Sequence, residues 1–244
     1  MAKEDTFVTV ERNGPVATIT LDRPEKRNAL GDELLLDLNE AIAGFRDDPE
    51  TRVIVLTAAP PVFSAGAQTK VKVDGSEDAR QKAFAGPKSQ FRRLFERAAA
   101  GIESLEQITV AKVGGHAVGA GWGLTLACDF RVASDDALFW IPEIELGVLL
   151  GVASTARFVR LVGAAKTKEI VILAKRHTAT DLKHMGLLTQ TAPQSELDSA
   201  TDAFVADLVK NPFIGQAKMK ARINHVARTA VPEVDTVLET ILER

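Results

Sequence analysis

The sequence predicts an α/β fold with a helical C-terminal part, on three observations. Strand-like runs are followed by a glycine-rich or polar loop and then by an apolar helix, in series. The run at 53–56 (VIVL) is apolar throughout, as in a strand buried on both faces. From Ala153 onward the pattern is almost wholly helical. At 244 residues the chain makes one large domain, or one domain with a helical appendage.

Each element has its own signal. Phe7 to Arg12 and Val16 to Asp22 read as strands joined at Asn13-Gly14, a hairpin turn. After the polar loop 22–28, Leu30, Leu34, Leu35, Leu38, Ile42 and Phe45 recur at helical spacing. Arg52 to Thr57 is a strand and 58–67 a Pro/Gly/Ser loop. Residues 69–86 are polar and irregular, a mobile segment or weak helix, and Phe91 to Leu105 is an amphipathic helix. The order then repeats: strand Thr109 to Val113, loop Gly114 to Gly121, helix Trp122 to Cys128, strand Phe130 to Ala133. Helices are expected at 153–162, 164–174, 179–185, 195–210, 212–228 and 231–243. Thr178 stands before Asp181 as a cap, and Pro212 and Pro232 stand at first-turn positions. The expected division is an α/β core over 1–192 and a helical region over 193–244.

Composition narrows the function. Thirty basic against 33 acidic residues give a net charge of −3, with no bias towards nucleic acid or anionic membrane. No apolar run approaches the ~18–20 residues that span a bilayer, and MAKEDTFVTV lacks the apolar core of a signal peptide. The expected location is therefore cytoplasmic. Cys128, the only cysteine, reads as a buried, inert thiol. His116, His177, His184 and His225 lack metal-ligand spacing, so no metal is expected. Ser64 lacks the Gly-x-Ser-x-Gly frame of a hydrolase, and Gly115 to Gly121 is not followed by the Gly-Lys-Ser/Thr of a phosphate loop. The basic clusters Arg92-Arg93, Lys166-Lys168 and 218–222 read as solvated helix faces, one of which could meet a ligand's phosphates.

Two loops carry a chemical signal. Phe63-Ser64-Ala65-Gly66-Ala67-Gln68 follows a buried strand, and Gly119-Ala120-Gly121-Trp122-Gly123 precedes a helix. Small residues admit a ligand close to the backbone, and a helix start leaves N–H groups without partners. Two such groups aimed at one carbonyl oxygen form an oxyanion hole, each donor contributing about 3–4 kcal/mol to the transition state. Glycines in strand-to-helix turns also serve geometry alone, so the spacing by itself leaves both readings open.

Five segments together settle on a likeness: RPEKRNAL at 23–30, FSAGA at 63–67, GHAVGAG at 115–121, ACD at 127–129 and FWIPE at 139–143. In order and spacing they resemble the crotonase (enoyl-CoA hydratase/isomerase) superfamily, from about residue 7 to about 190. The resemblance implies a crotonase-like spiral of ββα units with a C-terminal helical trimerisation region, and a homotrimer or dimer of trimers. It implies an acyl-CoA thioester as ligand, whose coenzyme A is part of the substrate, with no separate cofactor. The thioester oxygen would take the N–H groups of Ala67 and Ala120. Lys26, Arg27 and Ala29, with Ala65 and Gln68, would line the CoA site, although relatives usually carry Asp at the position of Gln68. Gly119, Trp122, Gly123 and Trp140 would border the acyl group, the two tryptophans favouring a restricted or flat one. His116 would be structural.

Family hydratases hold water between two glutamates. One corresponds to Glu143, after the proline of FWIPE; the other falls on Gly123, five residues before Cys128, and is missing here. General acid–base help is worth ~10²–10⁴-fold, so hydration should suffer. Moving a proton from the α to the γ carbon of an enoyl chain needs a single base. Relatives keeping only the second glutamate include isomerases and enolate-forming carbon–carbon bond enzymes. Isomerase-type enolate chemistry with Glu143 as base is therefore preferred. The alternatives are a hydratase using another acid and a non-catalytic acyl-CoA binding protein. The apolar neighbours Phe139, Trp140, Ile141 and Pro142 should raise the pKa of Glu143. Glu145 would share its face, as a possible second acid, if the stretch were extended.

Overall fold

The computed structural model describes residues 6–68 and 90–230. The expectations for 69–86 and for a helix at 231–243 lie outside the described residues. Nine strands and seven helices are described: β1 (Val8–Asn13), β2 (Val16–Leu21), α1 (Asp32–Ala43), β3 (Val53–Ala58), α2 (Gln90–Ser104), β4 (Ile108–Val113) and β5 (Ala117–Val118). There follow α3 (Ala120–Thr125), β6 (Phe130–Ser134), β7 (Leu138–Trp140), α4 (Val152–Leu173), β8 (His177–Thr178), α5 (Ala179–His184), β9 (Gln190–Ala192), α6 (Leu197–Lys210) and α7 (Phe213–Ala230).

Six strands form one sheet in the order β1-β2-β3-β4-β6-β9. The hairpin β1–β2 is antiparallel, with Val8 opposite Leu21, and every later pair is parallel. A second, smaller sheet runs β5-β7-β8. It is extended by two single bridges, Ser64 to Ala117 and Leu30 to Ala67. Each turn of the chain thus gives one long strand to the main sheet, one short extended piece to the small one, and a helix. β2–Leu30–α1, β3–(64–67)–α2, β4–β5–α3 and β6–β7–α4 are four such turns of a ββα spiral. The short pieces escape a sequence reading because two or three residues carry no periodicity, and their partners are distant in the chain.

The run VIVL is apolar throughout because its alternate side chains enter two cores. Ile54 and Leu56 join a large core with Leu34, Leu35, Leu38 and Ile42 of α1. Val53 and Val55 face a second core with Val110, Val132, and Leu197 and Val205 of α6. Burying each such side chain stabilises the fold by about 1.5–3 kcal/mol. Helix α6, in the expected helical tail, therefore lies on the main sheet, where Lys112 Nζ also meets Asp198 Oδ1 at 2.7 Å.

Several local expectations hold. Gly163, with φ 75°, breaks α4 where the sequence separates two helices. Thr178 and Asp181 form a reciprocal cap: Asp181 N–H donates to Thr178 Oγ1 (3.1 Å) and Thr178 N–H to Asp181 Oδ2 (2.9 Å). Cys128 is buried, and desolvation pushes its thiol up to about 12. The basic cluster 218–222 departs from its reading as a solvated face. Lys220 is buried, donating to Gln107 O (2.7 Å) and pairing with Asp129 Oδ2 (2.8 Å). Among the described residues no helix is long and apolar enough to cross a membrane.

Candidate functional site

The two glycine loops meet beyond the C-terminal ends of β3 and β4. Phe63 and Ser64 N–H both donate to His116 O, and Val118 N–H donates to Ser64 O. Backbone lies so close to backbone that a Cβ on Gly66, whose φ is +91°, would stand 2.9 Å from Val118 O and 3.8 Å from Ala120 N. A Cβ on Gly121 would stand 2.6 Å from Ser64 Cβ. The glycines are therefore required by this approach as well as by their turns. Ser64 Oγ donates to Asn28 O (2.7 Å) and accepts from Gly66 N–H (3.1 Å), so this serine ties loops together.

The N–H groups of Ala67 and Ala120 end up free in direction. Leu30 engages both neighbours of Ala67, donating to Gly66 O and accepting from Gln68 N–H, each at 2.8 Å. Ala67 N–H consequently points away from Leu30. Ala120 opens α3, where the first N–H has no intrahelical acceptor. Neither finds a main-chain acceptor among the described residues. Helix α3 starts two residues before the expected Trp122, because Ala120 and Gly121 are buried and packing overrides glycine's low helix propensity.

Glu143 arrives through the small sheet. β5 and β7 run in parallel with Val118 beside Trp140, and Gly119 N–H donates to Trp140 O (2.9 Å). Beyond β7 the chain turns over 142–148, closed by Val148 N–H on Glu143 O (2.9 Å). This sets the Glu143 carboxylate against Gly119, where a Cβ would lie 2.5 Å from Oε1. Glu143 Oε2 is buried and, among the described residues, has no hydrogen-bond partner. Burial pushes its pKa up to about 7, the direction that Phe139 and Ile141, both fully buried nearby in sequence, lead one to expect. The turn also corrects the expectation for Glu145: the stretch is not extended, and Glu145 is exposed.

The remaining residues divide. Lys26 and Arg27 are exposed on the loop before α1, and Ala65 N–H donates to Arg27 O (2.9 Å), joining that loop to the site. Ala29 is half-buried, and Gln68, exposed, folds its Oε1 onto Gly31. Trp140 is half-buried, with the Arg176 guanidinium 4.9 Å from its ring and His116 edge-on at 6.1 Å. Trp122 does not border the site. It is 0% exposed, packed against Phe139, Phe158 and His177, so it is core. Gly123 is also enclosed: a Cβ there would overlap Ser154 Oγ. His116 Nδ1 accepts from Leu138 N–H (3.1 Å), fixing the ring to the scaffold.

Sequence reasoning placed Asn28 only within the loop 26–29 and passed over Ser154. Asn28, fully buried with φ 48°, donates to Ala59 O (2.7 Å) and Val62 O (2.8 Å) and accepts from Arg23 N–H (2.9 Å). Its place beside left-handed Arg27 in a polar loop was the available signal. Ser154 gave none, since its neighbour Gly123 is 31 residues away. Among the described residues no group of three or more His, Cys, Asp or Glu could hold a metal ion.

A ββα spiral with a desolvated carboxylate set against the glycine loop that opens α3 fits an enzyme of the crotonase class. The family model described as enoyl-CoA hydratase/isomerase matches residues 11–243, and the chain belongs to that family. It is 32% identical over 233 residues to the short-chain-enoyl-CoA hydratase of Clostridium acetobutylicum, covering 95% of this chain and 85% of that one. It is 35% identical over 210 residues to the carnitinyl-CoA dehydratase of Salmonella paratyphi A, covering 86% and 77%. A Thermobifida fusca protein solved in complex with acetoacetyl-CoA superposes with a TM-score of 0.80 at 27% identity, covering 98% of this chain and 92% of that one.

Proposed function

We propose that the protein carries out enolate chemistry on an acyl-CoA thioester, with Glu143 as its base and isomerase-type proton transfer as its reaction. Ala67 and Ala120 N–H hold the thioester oxygen. Glu143 takes a proton from the α carbon of a 3-enoyl thioester, and the electron pair moves into a dienolate whose oxygen faces the two donors. Glu143 then returns the proton at the γ carbon, giving the 2-enoyl thioester. Lys26, Arg27, Ala29, Ala65 and Gln68 line the path of the CoA moiety, which belongs to the substrate; no separate cofactor takes part. Relatives named for CoA-thioester reactions, and a structural relative holding acetoacetyl-CoA, support the substrate class.

The observation that carries this reading is the isolation of Glu143. A half-buried carboxylate with an enclosed oxygen that lacks a partner among the described residues and a pKa of about 7, set against Gly119 beside Ala120, suits a base working near neutral pH. The assembly proposed with it is a homotrimer or dimer of trimers formed through 193–244. The test is mass spectrometry of 2-enoyl- and 3-enoyl-CoA thioesters incubated with the protein in D₂O. Deuterium uptake with double-bond migration is the expected result. Addition of water across the double bond makes it a hydratase, and binding with no change to any thioester makes it a carrier.

A further inference from the structure

Glu103 is outnumbered by the cations around it. Arg157 and Arg228 both donate to its Oε2, and Arg160 pairs with its Oε1. A cavity of about 500 Å³ opens beside this cluster and brings Arg46 and Arg97 into the same wall. Arg46 follows α1, Arg97 stands on α2, Arg157 on α4 and Arg228 on α7, so four parts of the chain bring an arginine to one place. Arg97 Nε donates to the neutral Asn39 Oδ1 (3.0 Å), and neither Arg97 nor Arg46 pairs with a carboxylate among the described residues. Arg157, 3% exposed, keeps a buried Nε that has no partner among the described residues. Four arginines against one glutamate leave three positive charges in excess on the cavity wall.

Like charges gathered in a cleft repel one another and concentrate counter-ions of the opposite sign. A guanidinium adds geometry to charge, since its planar fork of donors matches phosphate oxygens two at a time. The volume lies within the range of small-molecule sites, ~300–1,000 Å³. An adjoining cavity of about 370 Å³ shares Glu103, Ser104 and Arg228 and adds Lys218, Glu106 and His225, so room continues past the arginines. Lys218 belongs to the basic cluster 218–222, which the thioester site does not use. Arg46 and Ser104 precede β3 and β4, whereas the glycine loops and Glu143 lie beyond the C-terminal ends of the strands, so the cavity is at the opposite end of the sheet.

We propose that this cavity is a second ligand site, which binds the diphosphate group of a small molecule through Arg46, Arg97, Arg157 and Arg228. The site is independent of the chemistry assigned to Glu143. Its test is calorimetric titration of the full chain with inorganic pyrophosphate and with ADP, at constant ionic strength. Pyrophosphate should bind, and Arg46→Gln and Arg97→Gln should each weaken it about tenfold, the worth of one charge-assisted hydrogen bond. Neither variant has an ion pair to lose, so Tm without ligand should stay the same or rise as the repulsion falls. Lys26→Ala, on the proposed path of CoA, should leave pyrophosphate affinity unchanged. Tighter binding of ADP assigns a nucleotide as the source of the diphosphate, and tighter binding of pyrophosphate assigns the free anion. Three results overturn the proposal: no binding of either probe, affinity unchanged in both arginine variants, or loss of affinity in Lys26→Ala instead. The last would place the phosphates on the thioester site.

Discussion

Glu143 and Glu103 are the same side chain in opposite company. Glu103, at the end of α2, receives Arg157 Nη2 at 2.7 Å, Arg228 Nη2 at 3.0 Å and Arg160 Nη1 at 3.5 Å. Among the described residues Glu143 receives no cation, and its Oε2 has no hydrogen-bond partner. Helix α4 connects the two environments, since it begins just after the Glu143 turn and carries Arg157 and Arg160. Three guanidiniums make Glu103 a joint between helices, whereas desolvation leaves Glu143 ready to accept a proton. The cavity of about 500 Å³ lined by Arg46, Arg97, Glu103, Arg157 and Arg228 belongs to the joint, towards the N-terminal ends of the strands.

The sharpest way to break this contrast is to neutralise each acid. Glu143→Gln should lower turnover by about 10²–10⁴-fold with acyl-CoA affinity nearly unchanged; turnover that survives removes Glu143 as the base. Glu103→Ala should leave the fold weaker by about 3–5 kcal/mol in urea denaturation, because Arg157, 3% exposed, loses its counter-charge. Arg228 is 46% exposed, so Arg228→Ala should cost under about 1 kcal/mol. Equal costs for these two variants would mean that Glu103 is no joint.

The pH dependence sharpens the comparison from the other side. Burial raises Glu143 from 4.5 to about 7, so the folded state holds its proton where the unfolded chain has released it. The stabilising effect is complete below about 4.5 and is lost as pH rises through about 7. Glu143→Gln should accordingly be more stable than wild type at pH 8, by up to about 3 kcal/mol, with the gap closing near pH 4.5. In wild type kcat/KM should rise with pH to a plateau above about 7, where the base is ionised. An acid limb near 4 instead would place the working carboxylate in a solvated setting.

The parts of the fold whose signals are local can be read from neighbouring residues. The hairpin at Asn13-Gly14, the doubly buried VIVL strand, the break at Gly163 and the cap at Thr178 each follow from a few neighbouring residues and recur in the structure. Glu143 and the glycine loops were legible too, because a motif fixes order and spacing. Tertiary structure alone decided what lies across those loops. It withdrew Trp122 into the aromatic core, turned Glu145 to solvent, buried Lys220 on Asp129, and set Ser154 into the space left by Gly123. The physical reason is common to all four: burial and partners depend on atoms brought together from distant parts of the chain, which periodicity and spacing do not encode.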